Sequence, residues 1–417
     1  MNYLIPEITR NIADNLLSCQ EKSENTGDIF SGKAGVILFL ANYYHIEKRN
    51  CYVNTIFELL NSTLNNLQNE KSGSMSGVAG IGWILQYLVN IGILDKKEVY
   101  PYLQQINTAV VSSLNQDFDA GYYDLMHGYI GKLIFLMDSN EYSKKTSNVV
   151  KFVEESIHFF QQTSIRDCPQ KIFWKQTNFG DISFESKACL GMAHGIPSII
   201  SFLSLLLEEN YLTNDKKKEA RILIEQSCEW ILDKEGKYEV KNGLFPTFIP
   251  PNEANLDSFL AWCYGDLGIA ISFIRAGKVL SNKRLYKEGI RIATHAAQRQ
   301  LKNSGISHDL SRSDITLCHG SFGILYQFHL LYKKTRVQAF KMAREYWLGI
   351  SLSNISIDEP FCNLKSCISS RKSKAKEWET LYSLLGGVSG VGLVLSSIYS
   401  HQGSTSQDWA RILLLDF

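Results

Sequence analysis

Seven copies of one short pattern dominate this chain. Gly-x-x-Gly followed by an apolar run stands at Gly32-Lys33-Ala34-Gly35, Gly77-Val78-Ala79-Gly80, Gly128-Tyr129-Ile130-Gly131, Gly265-Asp266-Leu267-Gly268, Gly320-Ser321-Phe322-Gly323 and Gly387-Val388-Ser389-Gly390. A seventh copy, Gly195-Ile196-Pro197-Ser198, ends on serine. First glycines are separated by 45, 51, 67, 70, 55 and 67 residues, the scale of a repeat architecture. Eight residues after each first glycine stand Leu40, Leu85, Leu136, Leu203, Phe273, Phe328 and Leu395. Four after it stand Val36, Ile81, Ile199, Ile269, Ile324 and Val391, with Lys132 the exception. Positions four and eight share one helical face, so each copy reads as the start of a buried helix. The glycines allow tight turns and close backbone approach.

Amphipathic stretches separate the copies: Asn61 to Gln68, Lys217 to Leu232, Arg284 to Leu301 and Val337 to Leu348. Each unit is then one glycine-led helix plus one ordinary helix, with an apolar face left to bury on its neighbours. The glycine-led helices are apolar nearly all round, which suits an inner wall. The expected fold class is all-α, an (α/α)7 toroid of inner and outer helices with small strand-bearing insertions. A length of 417 residues suits two or three ordinary domains. The shared register instead makes residues 1–417 a single toroid domain. Two stretches break the pattern, near 165–190 and 237–250. The first alternates aromatics from Lys171 to Trp174 and on through Asn178-Phe179-Gly180-Asp181 to Ser183-Phe184-Glu185. The second contains Asn242-Gly243, a hairpin signal. The basic, serine-rich run Ser366 to Lys376 reads as an exposed loop.

Charge excludes some partners. Lys and Arg number 43 against 42 Asp and Glu, a difference of +1, which leaves no footprint for nucleic acid or an anionic membrane. The longest apolar stretch, Ile196 to Leu207, is too short and too broken for a transmembrane segment. The first residues lack a secretory signal. Nine irregularly spaced cysteines then point to a reducing cytoplasm rather than a disulfide framework.

Chemistry enters just before the glycines. One residue before them stand Ser31, Ser76, His127, His194, Tyr264, His319 and Gly386; two before, Cys263 and Cys318. Helix starts in a ring face one mouth, so these side chains can converge. Two thiolates and an imidazole from Cys263, Cys318 and His319 suit zinc and leave a fourth position open, as in catalytic sites. The competing reading is three residues packed under a helix start. His194 is either a proton carrier facing the metal or a core histidine satisfied by a carbonyl. Asp124 either orients His194 and shares its acid–base work or caps a helix. His127 has the register but a supporting or structural role, and Tyr264 is placed to line the pocket. His45, His158, His295, His308, His329 and His401 fall outside the register. Cys19, Cys51, Cys168, Cys189 and Cys228 read as isolated structural thiols. Cys362 and Cys367 form a pair that no nearby ligand completes.

Trp262-Cys263-Tyr264-Gly265, Cys318-His319-Gly320, Gly191-Met192-Ala193-His194-Gly195 and the seven glycine units resemble the LanC family, the lanthionine synthetase C-like proteins. The resemblance runs from Gly32 to Leu395. It implies a zinc-dependent lanthipeptide cyclase with one Zn2+ held by Cys263, Cys318 and His319, and with Asp124 and His194 near the metal. The implied substrate is a dehydrated precursor peptide. Its Cys adds to dehydroalanine or dehydrobutyrine to form a thioether ring in lantibiotic biosynthesis. The implied partners are a lanthipeptide dehydratase and an exporter, which would bring a cytoplasmic protein to the membrane periphery. Two other readings keep the fold: addition of glutathione to dehydrated residues, as in eukaryotic LanC-like proteins, and a non-catalytic peptide scaffold. Two departures stand out. Family members often carry Arg four residues before the first zinc cysteine, where this chain has Phe259. Ser198 replaces the closing glycine of the fourth unit.

Overall fold

The computed structural model describes residues 4–18, 26–70, 72–139, 147–176, 187–252, 257–309, 312–353, 355–369, 376–399 and 409–417. Seven helices begin on the residue after a repeat's first glycine: α2 (Lys33–Ile46), α4 (Val78–Asn90), α6 (Tyr129–Asp138), α8 (Ile196–Glu208), α10 (Asp266–Val279), α12 (Ser321–Thr335) and α14 (Val388–Tyr399). Seven others alternate with them: α1 (Leu4–Leu16), α3 (Asn50–Asn65), α5 (Lys96–Ala120), α7 (Ser147–Thr163), α9 (Asn214–Leu232), α11 (Lys283–Ala297) and α13 (Gln338–Leu352). The first set is buried all round; every residue of α8 from Ile196 to Leu206 is buried. The second set is one-sided, as in α11, where Leu285, Gly289, Ile292, Ala293 and Ala296 are buried.

The glycine-led helices start on a backbone closure. A helix leaves its first amides without partners. Here the first amide of α2 donates to Thr26 O (3.1 Å), that of α6 to Tyr122 O (3.0 Å), that of α12 to Asp314 O (2.8 Å) and that of α14 to Leu381 O (2.8 Å). Each acceptor lies seven residues upstream. The loop folds so tightly that a Cβ at Gly32 would stand 2.4 Å from Thr26 O, and one at Gly265 1.8 Å from Phe259 O. Crowding by backbone therefore demands glycine. Gly265 adds a second reason, with φ +109°. Ser198 is accommodated: it is fully buried and its hydroxyl donates to Gly195 O (2.7 Å).

Two compact units make up the chain, 1–110 with 306–408, and 111–305 with 409–417. In the first, α2 packs on α3, α4 and α14, α1 packs on α14, and α12 on α13 and α14. A Cβ at Gly392 would meet the Phe39 ring at 2.3 Å, so this glycine sets the approach of α14 to α2. In the second unit α8 packs on α9 and α10, and α10 on α11. Its last residues are tied down by side chains. Trp262 Nε1 donates to Leu413 O (3.0 Å). Arg275, 1% exposed, donates to both oxygens of Glu208 and to Asp416 Oδ1 (2.9 Å). Arg411 donates to Asp138 and Glu209.

Three antiparallel strand pairs occur among the described residues: β1 (Ile165–Cys168) with β2 (Lys171–Phe173), β3 (Ala188–Cys189) with β4 (Phe248–Ile249), and β5 (Ser366–Ser369) with β6 (Lys376–Glu379). Two sequence expectations change. Asn242-Gly243 does not turn a hairpin, because the Asp257 carboxylate accepts both backbone N–H groups (3.1 Å each) and holds the segment as a loop. The run from Ser366 to Lys376 is not simply an exposed loop: its ends form a ladder, and Ser366 is buried with its hydroxyl on Gly386 O. Asn178 to Asp181, Ser183 to Glu185, Cys19 and His401 lie outside the described residues.

Candidate metal centre

The residue before each first glycine is open to solvent. Ser31 and His319 are exposed, and Ser76, His127, His194, Tyr264 and Gly386 are partly so, while each following glycine is buried. The backbone closure uses the residues further upstream, so this position carries a side chain that the helix start does not need.

In the second unit three such positions meet. His127 and His194 stack with ring centroids 5.9 Å apart and planes 6° apart, and His194 lies 6.1 Å from Tyr264. Asp124, 2% exposed, reaches both a helix start and His194. Its Oδ1 accepts the amides of Met126 and His127 (2.8 Å each), capping the turn into α6. Its Oδ2 is 2.7 Å from His194 Nδ1. Burial alone would raise the Asp124 carboxyl, but the charge and hydrogen bond of His194 and the His127 amide outweigh it and hold it below the usual carboxylate range. Burial pulls His194 down, but Asp124, with Cys263 adding, pushes it above the usual imidazole value. The carboxylate thus favours a proton on Nδ1.

Cys263 follows on a loop built by close approach. A Cβ at Gly191 would stand 2.0 Å from the Cys263 carbonyl oxygen, so glycine lets the fourth repeat's loop press on the fifth. Arg299, 3% exposed, donates to the carbonyls of Ser258 (2.7 Å), Asn303 (3.0 Å) and Ser304 (3.3 Å). Leu260 N–H donates to Ser304 O (2.7 Å). Phe259, where the family resemblance suggests Arg, is 42% exposed and rests its ring on Gly305. Cys189 accepts the Gly191 amide (3.4 Å), and burial pushes its thiol far up, which keeps it protonated.

In the first unit, Cys318 N–H donates to Leu385 O (3.1 Å) and the His319 amide donates to Thr316 Oγ1 (3.3 Å). The backbone under both residues is thereby fixed before α12 begins. Cys263, Cys318 and His319 form a group in which each offers one ligand atom and these atoms lie within 4.8 Å of one another. Two thiols and an imidazole are donors that suit zinc, so the donor set fits it. Among the described residues no other group of three His, Cys, Asp or Glu side chains is so arranged, and the Cys362 and Cys367 pair stays incomplete.

The model of the lanthionine synthetase C-like proteins matches residues 23–414. The chain belongs to that family. Among solved structures, nisin cyclase is similar to this family member with a TM-score of 0.70 and 19% identity, covering 100% of this chain and 98% of that one. No curated protein matches the sequence. The fold is therefore the expected toroid of LanC-like proteins, mostly helical with small strand pairs.

Of the side chains that the sequence singled out, Asp124 is hydrogen-bonded to His194, Tyr264 lies beside His194, and Cys263, Cys318 and His319 form a group that could hold a metal. Asp314 was missed. It stands six residues before Gly320, whereas Asp28 and Asp124 cap their turns from four residues before theirs. Thr316 occupies the equivalent place and hides the carboxylate from a register search.

Proposed function

We propose that this LanC-like protein is a zinc-dependent cyclase that closes thioether rings in a dehydrated precursor peptide. The gathering of Cys263, Cys318 and His319 into one ligand group carries the reading. Family membership and the likeness to a protein named nisin cyclase support it. A zinc ion held there would take the substrate cysteine as a thiolate in its fourth position, well below the free thiol pKa of about 8.5. With three thiolates and one imidazole such a centre would carry a net −1, which would keep the sulfur electron-rich.

His194 and Asp124 handle the proton. As the sulfur bonds to the β-carbon of a dehydroalanine or dehydrobutyrine, the alkene pair moves to the α-carbon. That carbon takes a proton from His194 Nε2, and the proton lost by the thiol restores the imidazole. Asp124 holds Nδ1 throughout and steadies the imidazolium. Tyr264, beside His194, contacts the peptide. The protein acts from the cytoplasm after a dehydratase and before an exporter. Among the described residues no helix is long and apolar enough to cross a membrane.

The test is a dehydrated peptide carrying internal cysteines, incubated with the zinc-loaded protein and glutathione, then alkylated and weighed by mass spectrometry. Ring closure removes alkylatable thiols without adding mass. The parent should close rings, and His194→Ala at full zinc loading should slow closure about 100-fold or more. Glutathione adducts without closure would overturn the cyclase reading. Parent-rate closure by His194→Ala would remove the proton role. A folded Cys318→Ala protein should not retain one equivalent of zinc.

A further inference from the structure

Metal-binding histidines nearly always pass their second ring N–H to a carboxylate, a carbonyl or water, which fixes the tautomer and the ring's orientation. His319 has such a carboxylate nearby. Asp314, 1% exposed, uses Oδ1 to accept the Thr316 amide (2.7 Å). Its Oδ2 is buried, has no hydrogen-bond partner among the described residues, and lies 3.7 Å from His319 Nε2. A buried carboxylate oxygen left unpaired is costly, so an N–H directed at it is stabilising. The His319 side chain is 52% exposed. A closure on the order of 1 Å makes this contact a hydrogen bond.

Position matters as well as distance. Asp28 and Asp124 cap equivalent turns with both bonds on one oxygen. Asp28 has a serine, Ser31, at the slot position, whereas the second oxygen of Asp124 takes His194. In the sixth repeat Thr316 receives the slot residue's amide. Asp314 is thereby left with one oxygen on the turn and one toward the imidazole.

We infer that Asp314 is a positioning residue of the metal centre: it accepts the Nε2–H of His319 and so leaves Nδ1 as the nitrogen that binds zinc. The inference rests on the zinc reading above. Asp314→Asn keeps an oxygen for the Thr316 amide but turns the second acceptor into an NH2 donor, which cannot accept from Nε2–H. Zinc affinity, measured by chelator competition, should weaken about 10–100-fold. Asp28→Asn makes the same chemical change where no histidine faces it and should leave zinc affinity at the parent value. In the zinc-loaded parent, 15N spectra of the His319 ring should show protonated Nε2 and metal-bound Nδ1. Parent-like zinc affinity in Asp314→Asn overturns the inference and leaves the metal centre standing. Metal-bound Nε2 in the parent overturns it even if the variant does not fold. A parent that binds no zinc overturns the metal centre and this assignment together.

Discussion

Lys132 is the one charged residue at the fourth position of a glycine-led helix, and its removal makes a demanding test. Its ammonium is buried, the side chain 3% exposed, and donates to Ser113 Oγ (2.6 Å) and Asp117 Oδ2 (2.5 Å). Burial pushes the Asp117 carboxyl up to about 6, despite the opposing pull of Lys132. The same burial pulls Lys132 down. A rise from 3.8 to about 6 corresponds to about 3 kcal/mol of disfavoured ionisation even with the partner present. In Lys132→Met the carboxylate loses its cation, and breaking a buried pair in this way costs about 3–5 kcal/mol at pH 7.5. The carboxyl's folded pKa then rises further above its unfolded value near 3.9. Between those two values the folded state binds the extra proton, so stability climbs as pH falls. The parent gains in the same way only below about 6. The variant's deficit should therefore shrink by about 1.4 kcal/mol per pH unit from its own pKa down to that point. Lys132→Met with Asp117→Leu removes both charges and should lie within about 1 kcal/mol of the parent. Urea unfolding of all three proteins from pH 5 to 8 measures this. A single variant within about 1 kcal/mol of the parent at pH 7.5, or a deficit that ignores pH, would refute the reasoning.

Four further outcomes are expected. Gly191→Ala drives a methyl into the Cys263 carbonyl and should weaken zinc binding about tenfold or more by chelator competition. Gly349→Ala, in the interior of α13 with open space around it, should instead raise stability by about 0.5–1 kcal/mol in urea. Arg275→Met breaks the buried contacts to Glu208 and Asp416 and should cost about 3 kcal/mol, read from the same titration. Burial opposes ionisation of Asp416, but Arg275 and Arg411 hold its carboxyl below the usual range. Its stabilisation is present above about 4 and lost as pH falls through the folded value. Asp416→Asn should therefore differ from the parent at pH 7 and converge with it in acid.

Much of this molecule was legible because one constraint repeats. Every first glycine sits where a backbone carbonyl or amide leaves no room for Cβ, so the pattern marks a fixed chain geometry and with it the start of each buried helix. The residues ahead of those glycines inherit a fixed position, which is why the register drew attention to Cys263, Cys318, His319 and His194. What stayed hidden depends on contacts between distant segments. Nothing near Asn242-Gly243 announces that Asp257 will take both amides. Asp314 lies two residues off the register of its counterparts. The pairing of Lys132 with Asp117 required knowing how α5 and α6 pack, and the clasp of Arg275 on Asp416 joins residues 141 apart.

The backbone closure beneath five of the glycine-led helices has a consequence for how such a protein can change. Because carbonyls upstream satisfy the first helical amide, the side chain next to the glycine is exempt from holding the helix start together. Serine, histidine and glycine all occupy that place here. At these five starts the scaffold offers interchangeable sockets, where chemistry can be installed, moved or erased without renegotiating the fold. A library that randomises Ser31 and Ser76 should consequently yield mostly folded proteins, and is the natural place to graft new reactivity.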